Sequence, residues 1–159
     1  MTNEITLRPM ALADVEKLAE IEKLCFASPW SASAFREELS NVCARYLVAE
    51  KDGVVVGYGG MWLILTEAHI TNVAVLAQYR GKGYGKRLLQ GLMRLAYDEL
   101  GIQMMTLEVR KSNAIARSLY ETHGFRVEGV RPHYYENNGE DALIMWCPDT
   151  RTYCGVADA

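Results

Sequence analysis

The segment from Val73 to Arg87 constrains the fold more than any other part of the chain. It reads Val-Ala-Val-Leu-Ala-Gln-Tyr-Arg-Gly-Lys-Gly-Tyr-Gly-Lys-Arg, so a β-rich run ends, glycines follow at alternate positions, and a helical pattern begins. Glycines let the backbone approach an anion closely, and the first turn of a helix presents unpaired N–H groups at its positive end. Basic side chains add positive charge at Arg80, Lys82, Lys86 and Arg87. The segment therefore predicts a pyrophosphate-binding loop.

The spacing of the glycines distinguishes between known phosphate loops. The nucleotide P-loop pattern fails because Gly81 to Gly85 is one residue too short and Arg87 stands where Ser or Thr is needed. The dinucleotide pattern fails because Gly85 comes one residue early. Gln78 to Gly83 does satisfy [QR]-x-x-G-x-[GA], and here the chain resembles the GNAT acetyltransferase superfamily. The resemblance implies that acetyl-CoA is held by Val73, Ala74, Val75, Gln78, Arg80, Gly81, Lys82, Gly83, Tyr84, Gly85 and Lys86.

Length and charge restrict the class of protein. The 159 residues suit one domain, half of them are hydrophobic, and the formal net charge is −3. A general nucleic-acid binder usually has a strongly basic surface, so we expect no nucleic-acid partner. The cysteine spacings suit neither a zinc site nor a disulfide framework, and the three histidines are scattered, so no metal is expected. No signal sequence or apolar membrane span is apparent, which predicts a cytoplasmic protein without membrane contact.

Periodicity predicts a mixed α/β (α+β) sheet with helices on both faces. Asp52-Gly53 between β-rich runs predicts a two-residue hairpin turn. The domain is predicted to span residues 1–147, followed by a flexible tail at 148–159. The predicted strands are 4–8, 45–50, 54–65, 69–75, 104–110, 125–130 and 142–146, and the predicted helices are 12–25, 31–39, 83–100 and 113–123.

Acetyl transfer to an amine needs a base for the amine, a donor for the carbonyl oxygen and a proton for the leaving thiolate. Glu108 is the candidate base, because strand alternation places it on one face with Thr106 and Arg110. Tyr120 is the candidate acid, on the following helix and on the same side as Asn113. Taken singly, such a glutamate is usually a surface charge and such a tyrosine belongs to the core or its rim.

The run from Leu107 to Phe125 resembles the ribosomal-protein-alanine N-acetyltransferases, the RimI type of GNAT enzyme. The resemblance implies that Glu108 accepts a proton, that Asn113 binds acetyl-CoA together with Ala116, and that Tyr120 donates a proton. It extends over nearly the whole chain and implies the GNAT fold, a mostly antiparallel, twisted sheet splayed between its fourth and fifth strands. In that fold backbone groups of the fourth strand grip the pantetheine arm and polarise the acetyl carbonyl.

The pKa of the acceptor amine favours a protein N-terminus. At pH 7, deprotonation costs about 1.1 kcal/mol for an α-amine and about 4.6 kcal/mol for a lysine. Trp30, Tyr134 and Tyr135 are predicted to form an aromatic groove for the first residues of a peptide. Acidic side chains further along could attract basic residues of that peptide, namely Glu136, Glu140 and Asp141.

Three alternatives remain open on the sequence. A GNAT enzyme of this kind could acetylate a lysine or a small-molecule amine instead. A non-catalytic acyl-CoA-binding module would bind CoA without turnover, although Glu108 and Tyr120 argue against it. An RNA-binding protein would use the basic side chains around Gly81, against the net charge. We expect a monomer or a weak dimer with a ribosomal protein substrate.

Overall fold

The computed structural model describes residues 5–152 as a sheet with helices packed on it. The strands are β1 (Thr6–Pro9), β2 (Ala44–Lys51), β3 (Val54–Ile64), β4 (Glu67–Val75), β5 (Met104–Arg110), β6 (Arg126–Tyr135) and β7 (Glu140–Cys147). The α-helices are α1 (Val15–Cys25), α2 (Ala32–Leu39), α3 (Tyr84–Arg94) and α4 (Ala114–Glu121). A turn of π-helix, Leu95–Glu99, continues α3. Every predicted strand and helix is present, with β6 five residues longer at its end than predicted.

The strands pair in the order β1-β2-β3-β4-β5-β7-β6. Neighbours such as β5 and β7 run antiparallel, whereas β4 and β5 are parallel. The parallel pairing of β4 with β5 covers three residue pairs, from Glu67 opposite Met104 to His69 opposite Thr106. The predicted mixed, mostly antiparallel sheet is therefore confirmed. Within the described residues, the chain forms two compact units, a first unit of residues 5–63 with 71–92 and a second unit of residues 64–70 with 93–152.

Helices cover both faces of the sheet in the first unit, as predicted. On one face, Leu18, Ile21 and Phe35 of α1 and α2 share a buried cluster with Val48 and Tyr58 of β2 and β3. Burial of side chains of this size provides the main driving force for the fold. Because neighbouring residues of a strand point to opposite faces, the next residues along each strand belong to the other face.

On that other face, α3 packs through Leu88 against Ala49, Val56 and Val75. The helix comes very close to β1 and β2 at Gly91. A Cβ atom there would lie 2.8 Å from Cδ1 of Leu7, so a larger residue would force that leucine side chain to move. This packing fixes where α3 begins, and hence where the predicted phosphate loop lies in the first unit.

Local turn chemistry follows the sequence in the first unit. Asp52 and Gly53 both have positive φ angles, 53° and 82°, as the predicted hairpin turn requires. Ser31 precedes α2, and its hydroxyl accepts a hydrogen bond from the Ala34 N–H at 3.1 Å. The predicted N-cap is thus confirmed.

The second unit has β5 between β4 and β7. Met105, Leu107 and Val109 of β5 are buried, whereas Glu108 is exposed. The buried Thr106 hydroxyl donates to the Met145 carbonyl at 2.8 Å. The face with Thr106, Glu108 and Arg110 is therefore a polar strip beside a hydrophobic core.

Part of the predicted tail is anchored in the second unit. Thr150 is fully buried, its N–H donates to Gln103 O at 2.8 Å, and its hydroxyl donates to Ile102 O at 2.9 Å. A short 3-10 helix spans Thr150–Thr152. The rest of the predicted tail lies outside the described residues. Within residues 5–152, no helix has the length and apolar character needed to span a membrane.

Candidate active site

The glycine-rich loop of the first unit has the backbone geometry that phosphate binding needs. Gly81 and Gly83 have φ angles of 80° and 82°, a conformation that favours glycine, and a Cβ atom at either position would meet open space. The first helical hydrogen bond of α3 runs from the Arg87 N–H to Gly83 O at 3.0 Å. By helix geometry, the amides of Gly85 and Lys86 precede this first bond and are left to bind a group outside the helix. The loop is exposed, and so is Lys82.

Arg80 ties the loop to the end of β4. Its Nε donates to the Val75 carbonyl at 2.8 Å, and its Nη2 lies 3.3 Å from the Cys25 Sγ. The Cys25 thiol also lies 3.7 Å from the same carbonyl. The predicted ligand contacts of Arg80 and of the Val75 carbonyl thus compete with these internal hydrogen bonds. A role in binding acetyl-CoA stays a prediction for both.

Several predicted cofactor residues contribute little side chain to the surface. Ala74, Val75 and Tyr84 are buried, and Tyr84 packs in the cluster beneath α3. Any contact of these three residues with a ligand would come from the backbone. Val73 is half-buried, whereas Gln78 is exposed. Two further predicted loop residues lie in the first turn of α3, the half-buried Gly85 and the exposed Lys86.

In the second unit, Asn113 is the N-cap of α4. Its Oδ1 accepts a hydrogen bond from the Ala116 N–H at 3.1 Å. This cap explains why an asparagine stands at the start of the helix. The cap leaves Nδ2 and a second lone pair of Oδ1 for a ligand, and the predicted binding by Asn113 and Ala116 stays a prediction.

Glu108 forms an ion pair that the sequence did not predict. Its Oε2 lies 2.8 Å from Nε of Arg131, and both side chains are partly exposed, at 33% and 56%. Leu107 and Val109 on either side are buried. The carboxylate therefore projects to solvent from a strand whose neighbouring side chains are buried.

Tyr120 lies in the core of the second unit at the end of α4. It is 8% exposed, and its ring centroid lies 5.7 Å from that of Phe125. Burial, followed by the neighbouring Tyr135, raises the pKa of its phenol to about 12. The phenol thus keeps its proton throughout the physiological range and can act only as a donor or a neutral acceptor.

The β6–β7 hairpin brings Tyr134 and Tyr135 together, with ring centroids 5.1 Å apart and nearly perpendicular. The guanidinium of Arg110 lies 3.9 Å from the Tyr135 centroid. Burial first raises the pKa of Tyr135 to about 12, and the charge of Arg110 opposes this shift. Glu108 and Tyr134 also contribute to the shift, so Tyr135 lies within the electrostatic range of the candidate base.

The acidic residues of this hairpin are used internally. Glu140 accepts from the Ser112 N–H at 2.6 Å and pairs with Arg110 at 3.4 Å, and these donors lower its pKa. Asp141 accepts from the His133 N–H at 3.0 Å. Glu140 and Asp141 thus hold the hairpin in shape, and the attraction of a basic peptide by Glu136, Glu140 and Asp141 stays a prediction.

Trp30, the third predicted substrate residue, lies in the first unit. Its ring is packed 5.5 Å from Phe35, 6.2 Å from Trp62 and 6.5 Å from Tyr46. The backbone N–H of Trp30 donates to Oε1 of the buried Glu22 at 2.9 Å. Trp30 is thus part of an aromatic cluster that closes the segment between α1 and α2 over the sheet.

The comparisons with known proteins identify the family of this chain. The model of the Acetyltransferase (GNAT) family matches residues 15–125. The chain belongs to the GNAT acetyltransferase family. A Bacillus subtilis relative, provisionally named a [ribosomal protein bS18]-alanine N-acetyltransferase, is 43% identical over 147 residues, which cover 92% of this chain and 97% of the relative.

Two enzymes of Escherichia coli support the same assignment. The [ribosomal protein bS18]-alanine N-acetyltransferase is 35% identical over 150 residues, covering 90% of this GNAT chain and 97% of the relative. The crystal structure of the ribosomal-protein-S18-alanine N-acetyltransferase superposes with a TM-score of 0.84 at 31% identity, covering 91% of this chain and 94% of that one. This GNAT chain is therefore an acyltransferase, and the recognised resemblance to the RimI type is confirmed.

Two features of this GNAT acetyltransferase were not foreseen. Arg131 approaches Glu108 across a strand, which only the sheet register reveals. Glu22 is a fully buried carboxylate that accepts from the Tyr58 hydroxyl and from Nδ2 of Asn72. A glutamate in a helical pattern is ordinarily read as a surface charge, so the sequence carried no signal for it.

In the described part of the chain, no group of three His, Cys, Asp or Glu side chains could hold a metal ion.

Proposed function

We propose that this chain transfers an acetyl group from acetyl-CoA to a protein N-terminus, namely the N-terminal alanine of a small-subunit ribosomal protein. The observation that carries the proposal is full-length similarity. The Bacillus subtilis relative named for this reaction matches 92% of the chain at 43% identity, and 97% of its own length is covered. A second relative, from Mycobacterium tuberculosis, is named an N-alpha-acetyltransferase and is 33% identical over 150 residues.

The glycine loop of the first unit supports binding of acetyl-CoA. Gly81 and Gly83 leave open space at their Cα atoms, and the first turn of α3 follows directly. Such a turn favours a negatively charged group through its N–H groups and its dipole. Lys82 and Lys86 are exposed beside it. These residues would hold the pyrophosphate.

Glu108 is the proposed proton acceptor. Acetyl-CoA would supply an acetyl thioester, whose C–S bond breaks as the substrate nitrogen forms a new C–N bond. Glu108 takes up the proton that the amine loses, directly or through one water molecule. A base on a rigid strand between buried neighbours keeps its position, which favours proton transfer.

Tyr120 is the proposed donor to the leaving sulfur. Its phenol, with a pKa of about 12, is a weaker acid than an alkyl thiol, whose ordinary pKa is near 8.5. Moving the proton fully onto the thiolate would cost about 5 kcal/mol, at 1.36 kcal/mol per pKa unit. A hydrogen bond from Tyr120 to the sulfur needs no such transfer, so Tyr120 stabilises the departing thiolate as a donor.

Glu108 is a weak base for a strongly basic amine. An N-terminal α-amine is neutral in roughly one molecule in seven at pH 7, given a pKa near 7.8, whereas a lysine is neutral in fewer than about one in a thousand. A single carboxylate is therefore better matched to an N-terminus. Trp30, Tyr134 and Tyr135 are the proposed aromatic contacts of the peptide.

The proposal is tested by release of free CoA thiol with matched peptides. One is an alanine-initiated, basic hexapeptide, and the other is its N-acetylated form with an internal lysine. We expect turnover on the free N-terminus and a rate at least a hundredfold lower on the blocked peptide. Preference for the internal lysine, or for a polyamine added as a third substrate, would contradict the proposed substrate class. Binding of acetyl-CoA without turnover on any amine would contradict catalysis itself.

A further inference from the structure

Arg131 reaches Glu108 from a strand that is not its neighbour. In the ladder, Arg131 of β6 pairs with Ala142 of β7, and Ala142 pairs with Arg110 of β5. Residues paired in this way point to the same face, and Glu108 lies on that face two residues from Arg110. The side chain of Ala142 is short, so the guanidinium can pass over β7 and bring Nε to 2.8 Å from Oε2 of Glu108.

We propose that Arg131 is a positioning residue for Glu108 and that it links the substrate hairpin to the catalytic carboxylate. The inference rests on the proposed function, in which Glu108 accepts the proton of the amine. In the described part of the second unit, the ion pair engages Oε2 of Glu108 and leaves Oε1 for the substrate. A glutamate side chain rotates about several bonds. A fixed partner on Oε2 therefore restricts the positions that Oε1 can take.

The backbone of β6 is shaped to present Arg131. The β6–β7 register shifts between Arg131 and Tyr135, where a bulge adds residues to β6. His133 within this bulge has a φ of 53°, and its N–H donates to Oδ1 of Asp141 at 3.0 Å. Bulges of this kind commonly re-aim side chains next to active sites. The Arg131 guanidinium also lies 6.0 Å from the Tyr134 ring centroid. A peptide that moves the Tyr134 ring would therefore also move the arginine that pairs with Glu108.

A second arginine fixes the hairpin from the opposite direction. Arg110 of β5 donates to Oδ1 of Asn137 at 2.8 Å and to Oδ1 of Asn138 at 3.2 Å in the hairpin turn. It also pairs with Glu140 and stacks on Tyr135. The hairpin is thus held to β5 at both ends of the bulge, once through Arg110 and once through Arg131. This arrangement makes the position of Glu108 depend on the hairpin that carries the proposed peptide contacts.

A purely structural ion pair would behave differently. Arg131 and Glu108 are 56% and 33% exposed, and ion pairs with such exposure contribute little to stability. Loss of Arg131 should therefore leave the melting temperature nearly unchanged. A displaced catalytic group can lower the rate by about a hundredfold without any loss of folding. Stability and turnover therefore separate the two roles.

The test is a double-mutant cycle in the full-length enzyme, with thiol release from acetyl-CoA and the alanine-initiated peptide. We expect Arg131→Gln to lower kcat by about 10- to 100-fold while KM for acetyl-CoA stays unchanged. In the Glu108→Gln background, the same change should have no further effect, because Arg131 acts through the carboxylate. Arg126→Gln, at an exposed arginine earlier on β6, is the matched control and should keep the wild-type rate.

Chemical rescue supplies a second readout. Arg131→Ala should regain part of its lost kcat in millimolar methylguanidinium, and Arg126→Ala should not respond. An equal loss from Arg131→Gln with and without Glu108, or no loss at all, would overturn the positioning role while leaving the base assignment intact. If Glu108→Gln itself keeps the wild-type rate, the proposed base fails instead, so the two failures are distinguishable.

Discussion

Glu22 and Glu108 are two glutamates on regular elements with opposite surroundings. Glu22 on α1 is fully buried in the first unit, and three donors surround it, the Tyr58 hydroxyl, the Asn72 amide and the Trp30 N–H. Glu108 on β5 is partly exposed in the second unit and has one partner, Arg131. Hydrogen bonds from the fold use both oxygens of Glu22. In the described residues, Arg131 uses Oε2 of Glu108, which leaves Oε1 for the proposed substrate.

The difference teaches that burial alone does not mark a functional carboxylate. Burial raises the pKa of Glu22, while the hydrogen bonds from Tyr58 and Trp30 act against that shift. A perturbed group of this kind is often taken as a candidate for catalysis. In this molecule, Glu22 joins α1, β3, β4 and the segment that carries Trp30, and this is a structural role. Partial exposure to solvent distinguishes Glu108, the proposed base.

The largest expected effect comes from exchanging each carboxylate for its amide. Glu108→Gln should lower kcat by about 10²- to 10⁴-fold, because it removes the proposed base, with a change in unfolding free energy within about 0.5 kcal/mol. Glu22→Gln should lower the unfolding free energy by about 1–3 kcal/mol, because one amide oxygen cannot accept from three donors. Turnover per folded molecule and urea denaturation measure the two effects. A large loss of kcat in folded Glu22→Gln would break the comparison.

One tyrosine from each unit, Tyr120 of the second and Tyr58 of the first, sharpens the comparison. Tyr120→Phe removes the proposed donor to the leaving thiolate. Since hydrogen bonds to charged groups contribute about 1.5–3 kcal/mol, kcat should fall by about 10- to 150-fold. Tyr58→Phe removes a donor to the Glu22 carboxylate and should lower the unfolding free energy by about 1.5–3 kcal/mol with kcat within twofold of wild type. The same two assays apply, and equal kinetic losses in both variants would remove the distinction between the two regions.

The smallest expected effect is a pH dependence of stability specific to Glu22. Its pKa in the folded protein is raised above the ordinary value of 4.5, so the folded state binds more protons than the unfolded state between those two values. Stability contributed by Glu22 is therefore present below pH 4.5 and is lost as the pH rises through the folded pKa, by at most about 1.4 kcal/mol per pH unit. Urea denaturation of wild type and Glu22→Gln between pH 4.5 and 8 measures this difference. A wild-type advantage that grows with pH would contradict the sign.

Much of the fold was readable because its signals are local. Alternation, helical spacing, the Asp52-Gly53 turn and the Ser31 cap each depend on a few neighbouring residues, and the structure confirms them. The sequence predicts the end of β6 at Val130, five residues early, because Pro132 interrupts the strand pattern. The strand continues past Pro132 through a His133 with a positive φ, which the residue type does not indicate. Proline is tolerated there because β6 lies at the end of the strand order.

The candidate site divides in the same way. The glycine loop and the Glu108 strand are continuous motifs, so their residue types and spacing could be predicted. The Glu108–Arg131 pair and the contacts of Glu140 depend on which strands pair and in which register, which no local pattern encodes. Thr150 was assigned to a loose tail because its burial depends on carbonyls about 48 residues away in the chain.

Arg110 and Arg131 also define which segment of this enzyme could be replaced by the corresponding segment of a relative. Asn137 and Asn138 anchor the hairpin turn to Arg110, and Arg131 anchors the strand before it. A graft confined to residues 132–136 would replace both hairpin tyrosines, with the loss of the Arg110–Tyr135 stack, and keep Arg131, Asn137 and Asn138 in place. A graft of the whole of β6 would remove Arg131 and deliver a new recognition surface disconnected from Glu108. The segment with the proposed peptide contacts therefore begins inside β6, after Arg131, and ends in the turn before Asn137.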